Sequence, residues 1–106
     1  MGYSTYHEIV DIEPASEEET VKAAIEATKD TEDEEIYYAI GQNPDWCKWY
    51  DCEEDMKKFS KRFPNVAITI SGEGEESPDF WKSRFKNGEC ETVYGEVVYP
   101  PFKEIK

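Results

Sequence analysis

The stretch WKSRFKNGECETVY, residues 81–94, decides how the chain is read. At its centre Asn87-Gly88 is the pair that a two-residue type I′ hairpin turn selects, because both central residues need positive φ. Placing the turn there sets the pairing on either side. Lys86 then faces Glu89 and Arg84 faces Glu91 on one side of the ribbon. Phe85 faces Cys90, Ser83 faces Thr92 and Trp81 faces Tyr94 on the other. Opposite charges meet, and so do aromatic and small residues. A slip of one residue would scramble both sets. Gly95 suggests a bulge in the second strand, and Pro100-Pro101 ends the sheet.

Upstream of the hairpin, NVAITIS (65–71) alternates as a strand with Val66, Ile68 and Ile70 on the inward face. Before it, Asp51 and Glu54 have the spacing of an N-cap and its N3 partner. Met56, Phe59 and Phe63 follow on one helical face, Lys57, Lys58, Lys61 and Arg62 fill the other, and Pro64 stops the helix. EIYYAIG (35–41) fits either a strand or a short helix, with the strand favoured; QNPD (42–45) is turn chemistry, and WCKWY (46–50) reads as another strand.

Ser16 and Glu19 form a capping box for an earlier helix of about 13 residues that ends near Asp30, with Val21, Ala24, Ile25 and Thr28 as its apolar stripe. The first segment, TYHEIVDI (5–12), is a strand. Strict alternation puts Tyr6, Glu8, Val10 and Ile12 on one face and His7 and Ile9 on the other. The order predicts one α+β domain over residues 1–106. It is a ferredoxin-like antiparallel sheet with two helices on one face and an added C-terminal β-hairpin.

Charge is distributed unevenly along the 106 residues. The net charge is −13. Residues 1–55 hold seventeen acids against three bases, Lys22, Lys29 and Lys48; residues 56–106 hold eight acids against nine bases. A field of that sign repels nucleic acid and anionic lipid and attracts basic proteins. No apolar run approaches a membrane span. The start, MGYSTYHEIV, lacks the basic and apolar regions of a signal peptide, and Tyr6 stands where a myristoylation signal wants Ser or Thr. Three cysteines without framework spacing fit reduced thiols, so the expected location is the cytoplasm.

The segments WYDCEEDMKKFSKRFPNV, GEGEESPDFW and FKNGE, within about residues 46–90, resemble small acidic proteins of bacteriophages and mobile elements of Gram-positive bacteria. In that group the place of Cys52 is often His and that of Pro78 often Gly. The resemblance implies a ferredoxin-like domain and a phage-encoded factor acting on a protein of the bacterial host.

Several side-chain groups are candidates for chemistry. GEGEES (72–77) reads as a glycine-bearing acidic turn with Glu73, Glu75 and Glu76, and Asp79 beyond it. Its spacing is not that of a Ca²⁺-binding EF-hand loop. DTEDEE (30–35) and Glu17–Glu19 concentrate charge beyond the magnitude of roughly 2–8 that keeps a small domain in solution. Cys47, Cys52, Cys90 and His7 lack zinc-ligand spacing, and Cys90 is a small apolar partner for Phe85. No nucleophile has an orienting partner in view, and no phosphate-cradling loop or cofactor motif is present.

The sequence therefore points to a non-enzymatic binding protein. Its contact residues would be Glu17, Glu18, Glu32, Asp33, Glu34, Glu35, Glu73, Glu75 and Glu76, and its partner a basic host protein such as a nucleic-acid enzyme. Carboxylates about 6–7 Å apart along an extended chain approximate the spacing of phosphates on a nucleic-acid strand. The competing classes are a homodimer joined through edge strands and a small-molecule binder using Arg84 or Lys82.

Overall fold

The computed structural model describes residues 3–76 and 79–103. Met1, Gly2, Ser77 and Pro78 lie outside the described residues, so the readings placed on them go no further. Strand β1 (Thr5–Glu13) is followed by a 3-10 turn (Ala15–Glu17) and helix α1 (Glu18–Glu26). Helices α2 (Glu34–Ile40) and α3 (Cys52–Ser60) come next. Strands β2 (Ala67–Gly74), β3 (Phe80–Lys86) and β4 (Glu89–Tyr94) complete an antiparallel sheet of order β1-β2-β3-β4. Among the described residues no helix is long and apolar enough to cross a membrane.

The hairpin forms as its turn chemistry requires. Asn87 and Gly88 have φ of 47° and 82°, and the pairs run from Lys86–Glu89 to Trp81–Tyr94 in the expected register. Ser83 and Thr92 join through their hydroxyls at 2.7 Å. The Gly88 N–H donates to Ser60 Oγ at 2.8 Å, which ties the turn to the end of α3. Arg84 turns away from Glu91 and pairs with Glu13 at 3.1 Å, across the intervening strand. β4 stops at Tyr94, so Gly95 marks the end of the strand rather than a bulge; its N–H donates to the Phe80 carbonyl.

The expected ferredoxin-like arrangement required strands at 35–41 and 46–50, and neither forms. Residues 35–41 fall in α2 because Ile36, Ala39 and Ile40 are spaced i, i+3, i+4, and all three are buried. A strand would have turned Ala39 outward and Tyr38 inward, whereas Tyr38 is 51% exposed. Glu34 and Glu35 lie in the first turn, at the positive end of the helix dipole. In 46–50 only Cys47 pairs with the sheet, through two backbone hydrogen bonds to Thr5 of 2.7 and 2.9 Å. Trp49 turns into the core there, and Trp46 stays at the surface against Tyr6. The result is three helices between β1 and a β2-β3-β4 meander, with the hairpin an integral part of the sheet.

Helix starts also differ from the sequence reading. Glu17 closes a 3-10 turn onto the Pro14 carbonyl, which moves the start of α1 past Ser16 and leaves the capping box unmade. Asp51 is the N-cap of α3, but its side chain makes no capping hydrogen bond. Strand β1 carries a bulge between Ile9 and Asp11. The extra residue, Val10, stays outward and the alternation flips, so that Ile12 joins His7 and Ile9 on the inward face. Burial of the Ile12 side chain is worth roughly 1.5–3 kcal/mol, which outweighs one displaced ladder position.

One apolar cluster holds the layers together. Val21 and Ile25 of α1, Ile36, Ala39 and Ile40 of α2, and Met56 and Phe59 of α3 meet Ile12, Ile68, Ile70 and Phe85 of the sheet. Cys90 packs against this cluster as the small partner of Phe85.

Candidate functional site

The glycines of the GEGEES stretch do not make a turn. Gly72, Glu73 and Gly74 continue β2, opposite His7, Tyr6 and Thr5 of β1. Alternation puts both glycines on the inward face, where large residues from elsewhere need their space. Trp81 lies across Gly72, and a Cβ at that position would overlap the indole. Gly74 is filled in the same way by Tyr3 and Asp79. The register then sets His7, Gly72, Trp81 and Tyr94 side by side across the four strands.

His7 is the floor of this region. It is 1% exposed, and its ring meets Trp49 edge-on at 5.1 Å and Trp81 at 6.1 Å. Its Nδ1 is buried with no hydrogen-bond partner among the described residues. Burial lowers its pKa to about 4, so the imidazole is neutral at pH 7.

A cavity of about 350 Å³ opens above it, between the inward face of the sheet and the start of α3. Its walls are aromatic, from Trp49, Tyr50, Trp81 and Tyr94, and its acids are Glu53 and Asp79. Trp49 is fixed by its Nε1–H, which donates to Asp55 Oδ2 at 2.8 Å.

Tyr3 links two of the lining residues, Tyr50 and Asp79. Its N–H donates to the Tyr50 hydroxyl at 2.9 Å, and its own hydroxyl donates to Asp79 Oδ2 and accepts from the Glu76 N–H at 3.0 Å. The bond to the Asp79 carboxylate raises the Tyr3 phenol above its ordinary pKa. Glu53 pairs with Lys57 at 3.2 Å along the helix. Cys52 also lines the cavity; burial pushes its thiol up to about 12, so it stays protonated at neutral pH. Among the described residues no group of three or more His, Cys, Asp or Glu side chains is placed to hold a metal ion.

The nine acids singled out from the sequence fall into separate groups. Glu73 is at the end of β2, followed by Glu75 and Glu76; all three are exposed and have no ion-pair partner among the described residues. Glu17 and Glu18 follow Glu13, which pairs with Ala67 at the opposite end of β2. Seven strand steps separate Ala67 from Gly74, about 23 Å. The two groups therefore do not form one patch. Glu18 pairs with Lys22 at 3.4 Å. Glu32 pairs with Lys58 at 3.8 Å, and Glu34 accepts the Asp30 N–H at 3.2 Å. Asp33 is the N-cap of α2 and Glu35 is exposed on its first turn.

The group at 73–76 shares its end of the sheet with Tyr50, Asp79 and Trp81, and with two residues that carry no signal in the sequence, Tyr3 and Glu53. The legible signal was the Gly-x-Gly spacing itself. Two glycines on one strand face ask which large side chains fill the missing volume. Compared with protein families, curated proteins and solved structures, the chain matches none.

Proposed function

We propose that the protein acts by binding a basic protein partner, and that contact is made at the Gly74 end of the sheet, which carries Glu73, Glu75 and Glu76 as well as the aromatic cavity. The observation that carries this reading is the combination found there. Exposed carboxylates without an ion-pair partner among the described residues share this end with exposed Tyr50 and Tyr94, in a chain whose net charge is −13. Exposed acids set approach rate and orientation, while buried aromatic contacts supply most of the affinity. Glu17, Glu18, Glu32, Asp33 and Glu34 add to the long-range field, and Glu35 lies near Cys47, which pairs with Thr5 opposite Gly74.

The partner class that this charge favours is a nucleic-acid-binding protein, met at its own basic groove. Together with the resemblance of residues 46–90 to phage proteins, this makes an inhibitor of a bacterial defence nuclease the favoured role, with nucleic-acid mimicry as its physical basis and the host cytoplasm as its place of action. The test is capture of basic proteins from a bacterial lysate on the tagged chain, followed by competition of each captured protein with its nucleic acid. Binding that survives 0.5 M salt, where the Debye length is about 4 Å, or that leaves nucleic-acid binding intact, would refute the reading.

One observation favours a second reading. β4 is an edge strand with Val93 and Tyr94 exposed, which suits a homodimer paired edge to edge. Sedimentation at low and high salt separates the two, because main-chain pairing is insensitive to screening.

A further inference from the structure

The cavity above His7 has walls and charges of one kind. Indole and phenol faces attract cations through their quadrupoles, and two carboxylates from different elements, Glu53 of α3 and Asp79 beside β3, face the same space. Tyr3 and Lys57 hold these carboxylates at the rim. The Lys57–Glu53 pair is solvent-exposed, so exchanging it for another cation costs little. The floor carries a buried imidazole nitrogen without a partner among the described residues, where satisfied polar groups are the rule. A cavity of 350 Å³ is at the small end for ligand sites, large enough for one side chain and too acidic for a phosphate.

We propose that this cavity receives the guanidinium of an arginine side chain carried by the basic partner. The proposal rests on the reading above and names what that partner inserts. A guanidinium is planar and weakly hydrated, stacks on aromatic faces, and has five donors to divide between two carboxylates and neighbouring acceptors. An ammonium is a strongly hydrated point charge that uses the indole faces less well. A side chain is favoured over free arginine because the α-carboxylate of the free amino acid would enter the field of Glu73, Glu75 and Glu76.

The experiment follows the indole N–H resonances of Trp49 and Trp81 in the intact chain. The probes are N-acetyl-arginine methylamide, N-acetyl-lysine methylamide and free arginine, each titrated at fixed ionic strength. The expected result is a saturable shift at both indoles with the capped arginine, weaker with the other two. The double substitution Glu53→Gln and Asp79→Asn should weaken it about tenfold, while Glu17→Gln with Glu18→Gln leaves it unchanged. These replacements keep side-chain size, and the amide spectrum reports that the fold is retained.

Absence of a saturable shift overturns the proposal, as does equal binding of the lysine probe. Tighter binding of free arginine overturns the assignment to a protein side chain. If the arginine probe fails while salt-sensitive capture of a basic protein persists, the pocket assignment falls and the acidic-surface reading stands. If the probe binds and capture fails, the reading of a protein partner is the one that falls.

Discussion

The two ends of strand β2 serve opposite purposes. At the Ala67 end, the hairpin turn is bound to α3 through Ser60, Ile68 is fully buried between Ile12 and Phe85, and Arg84 reaches Glu13. The basic residues Lys57 and Lys58 lie in the last turn of α3, which ends there, and complement its dipole. At the Gly74 end, the strand gives up two side chains to seat Trp81 and Tyr3. Among the described residues a histidine is buried with an unmet nitrogen, Tyr94 stays exposed, and Glu73, Glu75 and Glu76 have no ion-pair partner. The first end satisfies its groups and stabilises the fold. The second leaves capacity unused, and unused capacity is what a binding surface requires.

That contrast can be broken by substitution. The largest effect belongs to the closed end. Ile68→Ala should cost about 2–5 kcal/mol in urea unfolding at unchanged m-value, and should leave the arginine probe's affinity alone once the protein is folded. Loss of probe binding with full retention of fold would mean that the two ends are coupled.

His7 gives the next largest effect. Its pKa is lowered to about 4 from the ordinary 6.5, so the unfolded chain binds more protons between those values. The stability from its neutral burial is complete above pH 6.5 and is lost as pH falls toward 4. The loss amounts to about 3 kcal/mol. In His7→Phe this component disappears, so the wild-type minus variant stability should fall by that amount from pH 7 to pH 4. Parallel curves would show that the imidazole is not buried as described.

Gly72→Ala should cost about 1–3 kcal/mol, because the new methyl competes with the Trp81 indole for the same space. Tryptophan fluorescence should shift with it, and the cavity should lose its arginine affinity. An unchanged spectrum would place Trp81 elsewhere.

The smallest stability effect is at the acids. Glu73→Gln, Glu75→Gln and Glu76→Gln together take the net charge from −13 to −10. Their melting temperature should hold or rise slightly, within about 0.5 kcal/mol for each exposed site. Capture of a basic partner at low salt should nonetheless weaken. If the same loss followed from Glu17→Gln and Glu18→Gln alone, the contact would lie at the other end of the sheet.

The hairpin was readable in the sequence because its information is local: Asn87-Gly88 chooses one turn, and the turn chooses every pair from 86–89 to 81–94. The stripes of α1 and α3 were readable for the same reason. Residues 35–50 were misread because short apolar runs satisfy two periods equally well. EIYYAI offers Ile36 and Ile40 to both a helix and a strand, and only burial of Ala39 separates them. WCKWY has strand composition, but the sheet pairs only Cys47 there and α3 begins at Cys52. Acid positions were legible one by one. Their separation by the length of β2 was not, since it depends on which strand Glu13 and Thr5 pair with.

The sequence by itself determined the turn at 87–88, the amphipathic faces of α1 and α3, the inward row Val66, Ile68 and Ile70, and the sign of the surface field. These follow from steric and charge rules that act within a few residues. Tertiary structure decided the helical state of 34–40, the bulge that turns Ile12 inward, and the row His7-Gly72-Trp81-Tyr94 drawn from four strands. Each depends on how much apolar surface a distant partner can cover, a quantity that no local window of the chain contains.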